Sequence, residues 1–457
     1  MIRDSRRLRR DALTVAAAAL MFAGFALTPF RPSKFGDRNF HVEAKRLSAA
    51  IRGAVPMADF RISKAPGPVF YFTVPYLFVA PGSPEEDFWR AAVLWSAICV
   101  CLAMVLLRRT GEEIGGPRLG WIALALALFP PFVVYYSFGI LSEPPAFIAA
   151  VLIGYGWVRW LKRRERPVLT WSWWLTWGGV AFLLLCRPNA LFLVVAAALC
   201  ALGLLRSREA IRRSAAIFIL SGLAVPLATT LGSVLLVRAL GGGWQERNLA
   251  HVVMQSRFQF RDEPWDWRYW QKRYREGSRD HAAFLATEER LMKQAGGSDK
   301  AFVDLEWDWI RKDVASHPFL SLRMIAVRAL ALNLVWANNN PDFSLNAARR
   351  NPVSVGFHLV LNLIYNGVLV LAILYLLKNR RAIPWTWALW APWLALFLFH
   401  VLTYVEPRYL IPGRPGIAVL AALMLERLIA PARKPVWETS PAEALAPEAS
   451  LNQRNRV

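Results

Sequence analysis

Five short polar segments each set an ionisable side chain against an apolar run, where such a group costs about 3 kcal/mol unless something uses it. The first is Phe35-Gly36-Asp37-Arg38-Asn39-Phe40-His41-Val42-Glu43-Ala44-Lys45-Arg46-Leu47. The spacing of Phe40, Ala44 and Leu47 predicts a short amphipathic helix under the membrane interface, with Asp37 at its N-cap. Capping alone accounts for an Asp there; a chemical role is the other reading. In Ser63-Lys64-Ala65-Pro66-Gly67-Pro68, Lys64 either holds a phosphate as a point charge or snorkels to the interface. Leu141-Ser142-Glu143-Pro144-Pro145 has the cap, the first-turn acid and the early Pro of an ordinary helix start. Arg187-Pro188-Asn189 and Glu406-Pro407-Arg408-Tyr409 each put a guanidinium at a turn. A guanidinium suits the oxygens of a lipid phosphate, and an Arg408 paired with Glu406 or with headgroups has the same pattern.

No phosphate-cradling Gly-rich loop, HExxH, GxSxG or paired CxxC occurs, and His41, His251, His281, His317, His358 and His400 are scattered. No cofactor is therefore expected, and nothing supports a divalent metal. Cys99, Cys101, Cys186 and Cys200 all lie in apolar runs, as small hydrophobes.

The elements that position these groups follow from composition. The 457 residues are 56% hydrophobic and 19% charged, too apolar for a soluble domain of this length. The net charge of +23 sits in short loops beside apolar runs, such as Arg6 to Arg10, Arg108-Arg109, Lys162 to Arg164, Arg206 to Arg213 and Lys378 to Arg381. That is the positive-inside pattern, not a nucleic-acid surface. It predicts an all-α polytopic membrane protein of about ten transmembrane helices, near residues 12–30, 89–107, 119–136, 142–161, 171–186, 189–205, 214–238, 354–377, 384–403 and 409–430. Outer-face juxtamembrane helices and a small, mainly helical extracytoplasmic region complete the expectation. The run Phe319 to Trp336 carries Arg323 and Arg328 and reads as an interfacial helix on the outer surface, because a crossing there would invert the basic loop after it. Tryptophans at helix ends, including Trp171, Trp173, Trp174, Trp385 and Trp387, suit an aromatic belt.

In this order and topology the segments resemble the GT-C class of polytopic glycosyltransferases, especially the relatives of protein O-mannosyltransferases and of the lipid A aminoarabinose transferase. The likeness covers roughly residues 10 to 430 and rests on Asp37, the Lys64 to Pro68 element, Ser142-Glu143, Arg187-Pro188-Asn189 and Glu406 to Tyr409. It implies an inverting enzyme that moves a sugar, hexose or pentose, from a polyprenyl-phosphate donor to a hydroxyl of a glycan, lipid or protein acceptor. Asp37 is then the general base on the acceptor, with Glu43 or His41 as possible second acid/base groups. Lys64, Arg408 and Arg187 would bind the donor phosphate, and Glu143, Glu406 and Tyr409 would shape the site. The chain departs from many members by having Phe40 or His41 in place of a Tyr, and Arg38 after Asp37 in place of a second acid.

The expected organisation is a transmembrane catalytic core over 1–238 with its first outer loop at 31–88, an extracytoplasmic region over 239–353, C-terminal transmembrane helices over 354–430 and a disordered cytoplasmic tail over 431–457. Both termini would be cytoplasmic in the plasma (inner) membrane, with the active site on the extracytoplasmic side. The alternatives are a transporter or flippase, for which two similar halves are expected but no internal repeat is present, and a glycan ligase or polymerase acting on lipid-linked sugars.

Overall fold

The computed structural model describes residues 2–27, 37–56, 62, 65–129, 132–163, 165–206, 209–239, 244–259, 261–262, 278–333, 352–403, 407–429 and 437. Among them the secondary structure is helical apart from an isolated bridge residue, Ile140.

Helix ends fall where capping chemistry places them. After α1 (Ile2–Leu27), α2 (Arg38–Ile51) begins at Asp37, whose carboxylate accepts the Asn39 N–H at 3.0 Å. Phe40, Ala44 and Leu47 are its buried face, as their spacing predicts. A Pro in the first turn opens α3 (Pro66–Tyr76), where its missing N–H costs nothing. α4 (Glu85–Gly115) has three acids in its first turn, α5 (Pro117–Leu128) follows the Gly116 break, and α6 (Phe132–Tyr136) is a single turn. α7 (Glu143–Arg163) carries Glu143 at its start and Lys162 and Arg163 at its end, both favourable to the helix dipole. α8 (Trp171–Cys186) stops where Arg187 becomes extended before Pro188. α9 (Phe192–Leu205), α10 (Ala210–Gly222) and α11 (Ala224–Ala239) complete the first half. The run expected as one helix over 214–238 has a one-residue break at Leu223, where Pro226 cannot donate to the preceding turn, and still continues as one apolar span over Ala210–Ser233.

Then come α12 (Trp244–Ser256), α13 (Arg279–Ala295), α14 (Asp299–Ser316) and α15 (Pro318–Ala331), and after them α16 (Pro352–Lys378), α17 (Trp387–Leu402) and α18 (Arg414–Ile429). Among the described residues six helices are long and apolar enough to cross a membrane, over Glu85–Gly115, Glu143–Arg163, Ala210–Ser233, Val355–Lys378, Pro384–Leu402 and Arg408–Ile429. Of the other expected crossings, α5, α8 and α9 are apolar but only 12, 16 and 14 residues long, short of the roughly 20 a straight crossing needs.

α7 is the buried axis of the bundle, and small residues let its neighbours close on it. A Cβ at Gly156 would lie 2.8 Å from the Ser172 carbonyl oxygen of α8, and one at Gly179 3.0 Å from that of Ala149. α18 meets α17 in the same way, since a Cβ at Gly416 would lie 2.0 Å from the Leu389 carbonyl oxygen. Three of the helix-end tryptophans are core and not belt: Trp173, Trp385 and Trp387 are buried, whereas Trp171 and Trp174 are exposed.

α12, α13 and α14 share a separate small core of Met254, Phe258, Phe284, Leu291, Phe302 and Ile310, with Trp307 and Trp309 packed against it. Buried Asp313 ties this unit together, accepting from Arg257 Nε and Arg261 Nη1, each at 2.7 Å. Burial pushes the Asp313 carboxyl up, but the hydrogen bonds from Arg261 and Arg257 outweigh it and hold it below the usual carboxylate range. The stabilisation is therefore present above the unfolded value of about 3.9 and is lost as pH falls through the lowered folded value. Asp313→Asn, which leaves two cations facing a neutral amide, is expected to destabilise the unit by about 3 kcal/mol. Limited proteolysis between α12 and α14 should show it at neutral pH, with the difference from wild type shrinking below about pH 4.

Arg328 of α15 is buried, donating to the carbonyls of Val401, Leu402 and Ser256. The helix expected to lie on the outer surface is therefore anchored to the end of α17 through one of the two arginines in its run.

Candidate active site

Glu143, Arg187, Arg408 and Tyr409, drawn from three distant parts of the chain, converge at one end of the bundle. α7 begins at Glu143, and its carboxylate is 1% exposed. The extended backbone at Arg187 turns the side chain back across the α7–α8 contact, and Nη2 donates to Glu143 Oε1 at 2.8 Å. Arg408 Nε lies 3.5 Å from the same oxygen. The Tyr409 ring lies against both guanidiniums, with its centroid 4.3 Å from Arg187 Cζ and 5.4 Å from Arg408 Cζ, and the His400 ring is 4.5 Å away.

Two cations share one carboxylate, and they differ in burial. The Arg187 side chain is 10% exposed and the Arg408 side chain 28%. Arg187 and Glu143 are therefore a closed buried pair, and Arg408 is the more exposed of the two cations. Glu143 Oε2 and Arg187 Nε are buried with no hydrogen-bond partner among the described residues.

Asp37 lies at the same end. Its backbone N–H donates to the Ile140 carbonyl at 2.9 Å, which fastens the start of α2 to the segment leading into Glu143. Asp37 is partly exposed, while Glu43 is buried on the inner face of α2. The His41 ring is held at both nitrogens, by Tyr76 Oη at 2.7 Å from Nδ1 and by Glu85 at Nε2, and Lys45 joins it on Glu85. His41 thus clamps α2 to α3 and α4.

Lys64 and Glu406 lie outside the described residues. α3, which begins two residues after Lys64, packs directly on the Arg187 turn, where a Cβ at Gly67 would lie 2.7 Å from the Cys186 backbone nitrogen and 2.7 Å from Cys186 Sγ. Gly67→Ala is expected to push α3 off this turn, costing about 1–3 kcal/mol. Thermal unfolding should report the loss, with a parallel fall in kcat/KM if the turn serves the reaction.

The sequence reading missed His400 and the Arg408–Glu143 pair. The signal available for the pair was an acid at a helix start expected on the same membrane face as Arg408. No group of His, Cys, Asp and Glu among the described residues has the arrangement to hold a metal ion.

No protein-family model and no curated protein matches the chain. Among solved structures, the chain is similar to the archaeal oligosaccharyltransferase AglB from Archaeoglobus fulgidus, in complex with an inhibitory peptide and a dolichol-phosphate, at 13% identity and a TM-score of 0.47. That match covers 92% of this chain and 50% of the archaeal one, so the chain spans about half its length. It is also similar to ArnT from Cupriavidus metallidurans, bound to undecaprenyl phosphate at 14% identity and a TM-score of 0.36, and in the apo state at 16% and 0.35. Both matches cover 89% of this chain and 77% of ArnT. At these identities, and with every TM-score below 0.5, the likenesses assign the chain no activity.

Proposed function

We propose that the chain is a GT-C-type membrane glycosyltransferase that moves a sugar from a polyprenyl-phosphate donor to an acceptor hydroxyl, with inversion, on the extracytoplasmic side. The observation that carries this reading is the placement of a partly exposed carboxylate, Asp37, at the same end of the bundle as a partly exposed guanidinium, Arg408. In the proposed step Asp37 accepts the acceptor's hydroxyl proton as the oxygen attacks the anomeric carbon. The bond from that carbon to the phosphate oxygen breaks, and its electron pair leaves on the polyprenyl phosphate. Arg408 stabilises the charge that develops there, with Lys64 as the second cation. Arg187 holds Glu143, Glu143 holds Arg408, and Tyr409 stacks on both guanidiniums, so the leaving-group site is set before the donor arrives. Glu43 and His41 are secondary acid/base candidates, and Glu406 a site-shaping one. The proposed partners are the lipid-linked donor, a glycan, lipid or protein acceptor, and the bilayer.

Mass spectrometry of lipids extracted from the purified protein tests the donor class. A polyprenyl phosphate or its glycosylated form is expected with the wild type and several-fold less with Arg408→Ala. A wild-type extract and added-donor assay both devoid of such binding would end the proposal.

A further inference from the structure

The end of the bundle remote from Arg408 holds a second cavity, of about 640 Å³, lined by Arg212, Lys378, Arg380 and Arg381 together with Trp385 and Trp437. Its place follows from one hydrogen bond. Trp157 Nε1 of α7 donates to the Trp385 carbonyl at 2.6 Å, and Trp157 lies fourteen residues along α7 from Glu143, about 21 Å at 1.5 Å per residue. The cavity is thus separate from the site at Arg408.

Four cations surround this space. Arg212 has an acidic neighbour, Glu209, with Nε 3.0 Å from its carboxylate. Among the described residues, Lys378, Arg380 and Arg381 make no ion pair and no carboxylate lines the cavity. Charges of one sign around a shared cavity repel, so the described lining favours an anion in this space.

Two further observations separate this cavity from an ordinary basic loop. Trp385 is buried and forms an indole wall, and Trp437 completes the lining, its Nε1 buried with no hydrogen-bond partner among the described residues. The cavity also sits where two apolar spans, Val355–Lys378 and Pro384–Leu402, end and begin, the level at which crossing helices meet lipid headgroups.

We propose that this cavity holds the phosphate headgroup of an anionic phospholipid from the leaflet at that end. The four cations supply the charge, the indoles face the glycerol backbone, and the lipid's chains continue along the apolar spans. A free phosphate compound shares the headgroup's chemistry but not its chains, and experiment separates the two.

The test uses the full chain, purified and delipidated in detergent, with native mass spectrometry after addition of phosphatidylglycerol or phosphatidylcholine. Phosphatidylglycerol should be retained at least several-fold better. The double variant Arg380→Gln/Arg381→Gln changes exposed side chains and should fold normally, yet retain phosphatidylglycerol about thirtyfold less, each arginine near a lipid surface being worth about 1 kcal/mol. Arg212→Gln gives an independent variant from another helix and should weaken retention in the same direction. Equal retention by wild type and both variants, or equal retention of the two lipids, overturns the proposal. Competition by millimolar inorganic phosphate as strong as that by phosphatidylglycerol would reassign the cavity to a free phosphate and overturn the lipid source.

Discussion

Asp37→Asn is expected to lower sugar transfer by about 10²- to 10⁴-fold, the range that a positioned general base contributes. The substitution separates the two roles open to this residue. Asn caps a helix about as well as Asp, so the hydrogen bond to the Asn39 N–H and the helix it starts should survive. An amide cannot accept the acceptor's proton. The measurement is transfer from a polyprenyl-phosphate sugar by purified protein, alongside its thermal unfolding. Unchanged unfolding with lost transfer marks a base, whereas wild-type transfer would leave Asp37 as a cap and move the question to Glu43 and His41.

Arg408→Ala and Arg187→Ala should give opposite signatures although both arginines touch the same carboxylate. Arg187 is the buried partner of Glu143, and removing it leaves a carboxylate that is 1% exposed with the longer contact to Arg408, at a cost of about 3 kcal/mol. Its loss should appear mainly as a lower unfolding temperature. Arg408 is more exposed and 3.5 Å from Glu143, a contact worth at most about 1 kcal/mol to stability. Its loss should spare folding, raise the donor KM and cut kcat/KM by about 10- to 100-fold, with little change in acceptor KM. Arg408→Lys would restore charge without the planar fork and recover only part of the donor use. Equal effects on donor and acceptor would argue against phosphate binding at Arg408.

Much of the local structure was legible in the residues. The period of Phe40, Ala44 and Leu47 gave α2 and its cap, the acid before two prolines gave the start of α7, and Pro188 gave the end of α8. These signals act over a few residues, where backbone chemistry decides. The meeting of Arg408 with Glu143 was not legible, because it depends on α18 and α17 packing against α7 through contacts between residues hundreds apart in sequence. His41 was open to a chemical role in the sequence, and its ring turns out to be held by Tyr76 and Glu85 on two other helices. The division of the 214–238 run shows the reverse case: Pro226 was visible, but hydropathy alone reads straight through it.

The contact of Gly67 with Cys186 has a practical consequence. The thiol is sealed under α3, one residue from Arg187, so in a variant whose other three cysteines are serine a maleimide has no route to it while that helix is seated. Alkylation rate then becomes a clock for how often α3 lifts away. A bound substrate that pins the helix would slow the labelling, and the slowing could be followed without any turnover.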